Sequence, residues 1–284
     1  MILTCPNCKD LLIADTHSLK CQSGHSFDKA KAGYINLLLP NQKKTSDPGD
    51  SKKMILAREQ FLSDGHYNFL IDTLNLLFES QLKLKSKKKQ DLHFLDIGCG
   101  SGYYTRQLLQ QKTVRKIGLD ISKNSIETAS KKDKTSTYLV ASAFNIPLTN
   151  DSADYILNVF SPLDLNEANR ILNEEGNIVK VIPGPEHMKE VAMLVYDTFK
   201  PHHTNFKSEV LNHGQFQVIE EIDLTQTITF DDDSIKNLVA MTPYRFKFTS
   251  DQFDELSSMN ITVSFQILVL GKTKADISIP LSNN

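Results

Sequence analysis

Between Leu92 and Gly102 an apolar strand runs straight into a glycine-rich turn, Phe94-Leu-Asp-Ile-Gly-Cys-Gly-Ser-Gly102. From there on, short apolar runs alternate with helical patterns, the signature of a parallel sheet with helices on both faces. The pattern predicts strands near 92–97, 115–120, 137–141, 153–159 and 177–182, with helices near 103–111, 123–131 and 164–173. Two further apolar runs, 216–230 and 261–270, extend the sheet as an antiparallel edge pair, giving seven strands. Gly98, Gly100 and Gly102 then fall at the carboxyl end of a strand, where open α/β sheets bind ligands. Asp120 ends the next strand, 24 residues after Asp96, where a carboxylate can accept both ribose hydroxyls of an adenosine. A nicotinamide dinucleotide is the runner-up ligand, but its G-x-G-x-x-G turn needs a third glycine where this chain has Tyr103.

The N-terminus carries a second motif. Cys5, Cys8, Cys21 and His25 stand in a C-x2-C-x12-C-x3-H spacing, which supplies the four tetrahedral donors of zinc. Some thirty residues bury too little apolar surface to fold unaided, and a metal overcomes that deficit. Four protein ligands leave no open position, so this zinc is structural. The fourth cysteine, Cys99, lies inside the glycine turn, a distribution unlike a disulfide scaffold. With no apolar run of eighteen residues and no signal-like segment at the start, the chain reads as cytoplasmic.

Composition narrows the partners. At 40% hydrophobic and 23% charged residues the chain is ordinary for a globular protein. Its net charge is −2, but residues 1–60 carry +3 and the remainder −5, so the N-terminal region is the basic one. Phe27, Tyr34, Leu37 and Leu38 are interleaved there with lysines, a mixture that suits RNA contact and would equally close a small core. Residues 40–53 read as a linker, Met54–Phe61 and a segment ending near Leu84 as helices, and the lysine run 83–89 as a solvated loop. In the large domain, Ala141–Pro147 follows the third strand, where an adenine ring would meet apolar groups, and Val159-Phe-Ser-Pro162 borders the reacting atom. There Phe160 suits either stacking on a flat substrate or the core, and His187 stands at the rim of the same cleft.

Taken together, these residues resemble the zinc-containing 23S rRNA (guanine-N1) methyltransferases of the RlmA type. The resemblance runs nearly end to end: Cys5-Pro-Asn-Cys8, Gly33-Tyr-Ile-Asn-Leu-Leu38, Asp47-Pro-Gly-Asp50, Gly65-His-Tyr67, Leu95–Gly100, Gly102-Tyr-Tyr-Thr105, Gly118-Leu-Asp120, Pro183-Gly-Pro185 with His187, and Met241-Thr-Pro243. It implies a class I S-adenosylmethionine-dependent methyltransferase fold, a seven-stranded, mostly parallel, doubly wound sheet, with a small N-terminal zinc-binding domain. The division it suggests is a zinc-binding RNA-recognition module over 1–40, a linker and helical segment over 41–90, and a Rossmann-like cofactor domain over 91–284. The implied reaction is methylation of guanine N1 in a hairpin loop of 23S rRNA, with a homodimer as the implied assembly. Cofactor contacts are expected at Tyr67, Asp96, Gly98, Gly100, Tyr104, Thr105, Asp120 and His187. The chain departs from the family in Asn173-Glu-Glu-Gly-Asn177, which replaces a Lys-Pro-Gly-Gly turn, and in lacking tryptophan after Met-Thr-Pro.

Guanine N1 is protonated at neutral pH, so the reaction needs a proton acceptor. Asp50, His66 and Asp164 qualify by chemical type alone, and the catalytic base is left unassigned. Two other readings stay open from the residues: a small-molecule methyltransferase, and a zinc-ribbon RNA-binding protein that has lost activity. Intact Gly98, Gly100, Gly102 and Asp120 weigh against the second.

Overall fold

The computed structural model describes residues 1–43, 45, 48–84, 92–110 and 113–273. The N-terminal module begins as a three-stranded antiparallel sheet of β1 (Ile13–Ala14), β2 (Ser18–Lys20) and β3 (Ser26–Asp28). β4 (Ile35–Asn36) leaves it to pair in parallel with a strand of the large sheet. Two helices follow, α1 (Lys52–Ser63) and α2 (Asn68–Leu84). Ser51 caps α1 by accepting from Met54 N at 3.3 Å. Within the predicted linker the chain makes one short 3-10 turn, Pro40–Gln42. Most of the lysine run, residues 85–89, lies outside the described residues, as do Lys44 and Asp47.

The large sheet contains β5 (Leu92–Ile97), β6 (Val114–Asp120), β7 (Thr137–Val140), β8 (Ala153–Val159), β9 (Leu172–Pro183), β10 (Phe216–Phe230) and β11 (Met259–Lys272). Its order is β10-β11-β9-β8-β5-β6-β7-β4. The contacts from β9 to β4 are parallel, and β11 runs antiparallel to both β9 and β10. The seven expected strands are present, and β4 adds an eighth that the sequence did not signal. The order reverses between β5 and β8, the topological switch point of such sheets. Connecting helices are α3 (Tyr103–Gln107), α4 (Lys123–Lys132), α5 (Leu165–Ile171), α6 (Lys189–Val195), α7 (Phe206–His213), α8 (Asp232–Ala240) and α9 (Ser250–Asp254).

Both faces of the central strands are covered, which is why they read as unbroken apolar runs. Phe94, Tyr155, Leu157, Val179, Val181, Phe265 and Ile267 pack on one face against α1, α2 and α8. Leu95, Ile97, Ile156, Ile178, Ile182, Leu268 and Leu270 pack on the other, with α5 and α7. That second cluster also takes in Cys5, Leu12, Leu19, Cys21, Ile35 and Leu37, so the zinc-ligand region and the sheet share one core. Thr4 N donates to Pro147 O at 3.0 Å and Leu3 bridges Leu148, adding backbone ties. Tyr34, Leu37 and Leu38 are buried, which settles their use as core residues rather than base-stacking ones.

Two boundaries moved by more than two residues. α3 stops at Gln107 instead of reaching 111, because Leu109 turns left-handed (φ 54°) and Lys116 Nζ binds the Thr105 and Leu108 carbonyls at the helix end. β9 starts at Leu172 rather than 177. Leu172 opposes Ala153 while Asn177 opposes Tyr155, so Asn173–Gly176 form an irregular excursion inside the strand.

Candidate functional site

At the end of β5 three consecutive glycine positions turn left-handed, Gly98 (φ 75°), Gly100 (φ 54°) and Gly102 (φ 74°). A Cβ on Gly98 would lie 2.2 Å from Ser161 Oγ, so only glycine allows the turn after β8 to press this close. At Gly100 nothing lies within 4 Å of where a Cβ would be, so its bare backbone faces open space at the strand ends. Asp120 ends β6 beside it. One carboxylate oxygen accepts from Gly100 N at 3.0 Å and the other from Ser122 N at 2.7 Å. Each retains acceptor capacity for a hydroxyl.

Asp96 is almost fully buried beneath the turn and accepts from Thr105 Oγ1 at 2.6 Å. Burial pushes its pKa up to about 7; the Thr105 bond opposes the rise and the neighbouring Asp120 charge adds to it. Burial likewise raises Asp120. Two carboxylates in so apolar a place make a site whose electrostatics favour a cation. Asp96 and Thr105 sit under the turn as its internal brace, while Gly100 and Asp120 present groups to the cleft.

Tyr67 is carried to this place by the turn between α1 and α2. Its side chain is buried and its hydroxyl has no hydrogen-bond partner among the described residues. The ring lies edge-on to Phe265, 5.0 Å between centroids. Phe265 in turn is 5.3 Å from His187 and 5.5 Å from Phe160, and His187 is 5.9 Å from Phe160. Tyr67, His187 and Phe160, distant in sequence, thus form one aromatic wall through Phe265. Phe160 is 43% exposed with φ 51°, so it is a rim residue and not a core one. Tyr104 is half-buried; burial raises its hydroxyl pKa, with Tyr67 the next influence. His187 Nδ1 accepts from Ser264 N at 3.2 Å, which leaves the ring proton on Nε2. Burial, then His202, lowers its pKa to about 4, so the ring is neutral at physiological pH.

The three acid–base candidates part company. Asp164 caps α5 by accepting from Glu167 N at 2.9 Å, and His66 pairs with Ser234 Oγ at 3.0 Å against Phe61 and Phe230. Asp50 is ion-paired with Arg58, which also donates to the Met241 carbonyl at 2.9 Å. Gly49 packs on Ser122, so Asp50 belongs to a segment lying beside Asp120. Sequence reasoning missed Phe265 and Arg58; the first was hidden inside an edge-strand reading, and the second gave no local signal.

The N-terminal donors converge. Sγ of Cys5, Cys8 and Cys21 and Nδ1 of His25 all lie within 4.8 Å of one another. Four of the six edges are 3.6 Å for Cys8–Cys21, Cys5–His25 and Cys8–His25, and 3.3 Å for Cys21–His25. A zinc tetrahedron with ordinary bond lengths has edges of about 3.6–3.8 Å, so the donor set fits that ion. Asp10 accepts from Ser23 Oγ at 2.6 Å beside Cys8, bracing the ligand loop.

Strand order, glycine turn and terminal acid define a class I S-adenosylmethionine-dependent methyltransferase, and the donor cluster gives it a zinc ribbon. Its cation-favouring carboxylates, bare Gly100 backbone and orphaned Tyr67 hydroxyl fit that sulfonium cofactor. Residues 3–47 match the zinc-ribbon family described as RlmA, N-terminal, and residues 95–180 match a methyltransferase domain family. The chain is similar to the 23S rRNA (guanine(748)-N(1))-methyltransferase of Streptomyces fradiae, 30% identical over 244 residues, covering 85% of this chain and 84% of that protein. Bacillus subtilis YxjB, named provisionally for a 23S rRNA (guanine-N(1)-)-methyltransferase, is 27% identical over 93% of this chain and 95% of its own length. A solved methyltransferase of Geobacter sulfurreducens, in complex with S-adenosyl-L-homocysteine, is 14% identical with a TM-score of 0.44 over 72% of this chain and 90% of that one. The chain belongs to the RlmA-type 23S rRNA (guanine-N1)-methyltransferase family.

Proposed function

We propose that this enzyme methylates N1 of a guanine in a hairpin loop of 23S rRNA. The observation that carries the reading is the zinc ribbon fused through β4 and a shared core to the sheet that bears the cofactor cleft. The reading is supported by relatives named for that reaction. Residues 1–40 are taken as the RNA-reading module, 41–90 as the connecting helices and 91–284 as the cofactor domain. A paired guanine has N1 in its hydrogen bond, so an unpaired loop base is the fitting target.

S-Adenosylmethionine, when bound, supplies an electrophilic methyl group on a sulfonium. Gly98 and Gly100 offer it backbone at the turn, and Asp120 accepts from its ribose hydroxyls. Asp96 and Thr105 keep that turn rigid from below, and the buried carboxylates favour its positive charge. Tyr67, Tyr104 and Phe265 exclude water from the interior of the cleft. His187, neutral and fixed as an Nε2–H donor, adds no repulsion to a cation and offers a hydrogen bond at the rim. Phe160 stands exposed beside it, where a flat base can lie. Positioning of this kind can lower a barrier by roughly 7–11 kcal/mol. The base that takes the N1 proton is unassigned; Asp50 is a candidate whose charge acts on Asp120.

Labelled cofactor with 23S rRNA, followed by reverse transcription, tests this. N1-methylguanine blocks the Watson–Crick edge, so one stop in one hairpin loop is the expected result. Tight cofactor binding without transfer to RNA, ribosomes or their precursors would overturn it. An rRNA substrate places the enzyme in the cytoplasm, and among the described residues no helix is long and apolar enough to cross a membrane. The homodimer that the family resemblance implies is checked by sedimentation.

A further inference from the structure

Lys180 stands in β9 between buried Ile178, Val179, Val181 and Ile182, and is only 6% exposed. A buried ammonium is costly unless hydrogen-bonded. Both bonds shown for it go to one turn: Nζ donates to Asn158 Oδ1 and, at 2.5 Å, to the Ser161 carbonyl. On its other side the Phe206 ring of α7 lies 5.3 Å from Nζ. Asn158, fully buried at the end of β8, passes the constraint on. Its Nδ2 donates to Ile97 O at 2.9 Å and to Ser161 Oγ at 2.6 Å, and Ser161 Oγ donates to the same Ile97 carbonyl at 2.9 Å. Ile97 immediately precedes Gly98, the glycine pressed against Ser161. The network therefore joins β9, the turn after β8 and the start of the glycine turn.

Phe160 lies inside this frame. It is left-handed at φ 51°, with its N–H donating to Val181 O at 3.0 Å, a conformation that a bulky residue keeps only when its surroundings impose it. We propose that Lys180 is a positioning residue: acting through Asn158 and Ser161, its ammonium holds the 158–162 turn so that Phe160 is presented at the cleft rim beside His187. The lysine itself faces the opposite side of the sheet from Val179 and Val181, so it touches neither wall of the cleft and acts only through the turn.

This inference rests on the proposed rRNA reaction only in its kinetic arm. The chain contains no tryptophan, so Phe160→Trp installs a single indole reporter in the turn, excited selectively over the tyrosines. Adding Lys180→Met, which removes the ammonium but keeps the stem, should lower the anisotropy of the introduced indole. It should also raise quenching by acrylamide at least twofold, with affinity for S-adenosylmethionine within threefold. In the chain that keeps Phe160, Lys180→Met should lower kcat for methyl transfer tenfold or more with KM for RNA nearly unchanged, and Lys180→Arg should restore part of it. Unchanged anisotropy and quenching after Lys180→Met would overturn the proposal. Lys180→Met removes the cost of burying an ammonium but leaves Asn158 Oδ1 and the Ser161 carbonyl without that donor. Should that variant not fold, Asn158→Ala removes the lysine's side-chain acceptor and the amide links to Ile97 and Ser161 with the lysine in place, and an unmoved reporter there would also refute the role. The fluorescence needs no RNA, so a wild-type enzyme inert on rRNA would sink the proposed function without deciding this one.

Discussion

At the scale of single residues, the site is governed by groups whose neighbours change what they can do. Asp96 is the plainest case. Its folded pKa of about 7 lies above the ordinary 3.8, so folding takes up a proton. In the free enzyme its favourable contribution is fully present below pH 3.8 and is lost as pH climbs through 7. A bound cation favours the ionised carboxylate, so cofactor binding should release a proton around pH 7. Affinity for S-adenosylmethionine should fall as pH drops from 8 to 6. Calorimetry in buffers of different ionisation enthalpy measures both, and a pH-independent affinity without proton release would refute the coupling. Gly98 makes a steric prediction. Gly98→Ala combines a left-handed backbone with a 2.2 Å contact to Ser161, so it should abolish measurable cofactor binding and lower stability by more than about 1 kcal/mol. Equilibrium dialysis and urea unfolding check the two effects.

Among elements, α1 is the least expected participant. Its Glu59 is buried and ion-paired with Arg106 at 2.7 Å and Lys132 at 2.6 Å, and it accepts from Ser101 inside the glycine turn. Arg106 also donates to the Ser101 carbonyl at 2.7 Å. One carboxylate thus fastens α1 to α3, α4 and the turn. Lys132 is substantially exposed, so solvent screens that pair, and most of the effect comes through Arg106 and Ser101. Glu59→Gln leaves the half-buried Arg106 guanidinium without its counter-charge and should cost about 2 kcal/mol of stability. Cofactor affinity should weaken with it, because Ser101 loses its anchor. Urea unfolding with parallel cofactor titration distinguishes this from a solvated surface pair, whose removal would change neither.

Over the whole molecule, the zinc ribbon and the methyltransferase sheet share one hydrophobic cluster, in which Cys5 and Cys21 join Leu95 and Ile156, so they should unfold together. Chelation, or Cys8→Ser, should therefore lower the main thermal transition instead of producing a separate early one. Structural zinc contributes several kcal/mol at least, and each kcal/mol moves a chain of this size by roughly 2–4 °C, so a fall on the order of 10 °C is expected in calorimetry. A low-temperature transition that leaves the main one in place would show two independent units.

The sequence by itself determined the parallel sheet, the glycine turn with its acid, and the zinc ligands. In each case the signal is local: apolar runs of strand length, glycines where left-handed backbone is needed, and donors at fixed spacing. It gave no sign of the short helices α6 to α9, whose few turns carry too little periodicity to stand out. Tertiary structure alone decided that Ile35–Asn36 would become an eighth strand, since two residues make a strand only when β7 supplies the partner. It alone joined Tyr67, Phe160, His187 and Phe265 into one wall, and put Lys180 behind it. Side chains separated by tens to almost two hundred residues meet only after the sheet has set its register, and nothing in their own neighbourhoods records that meeting.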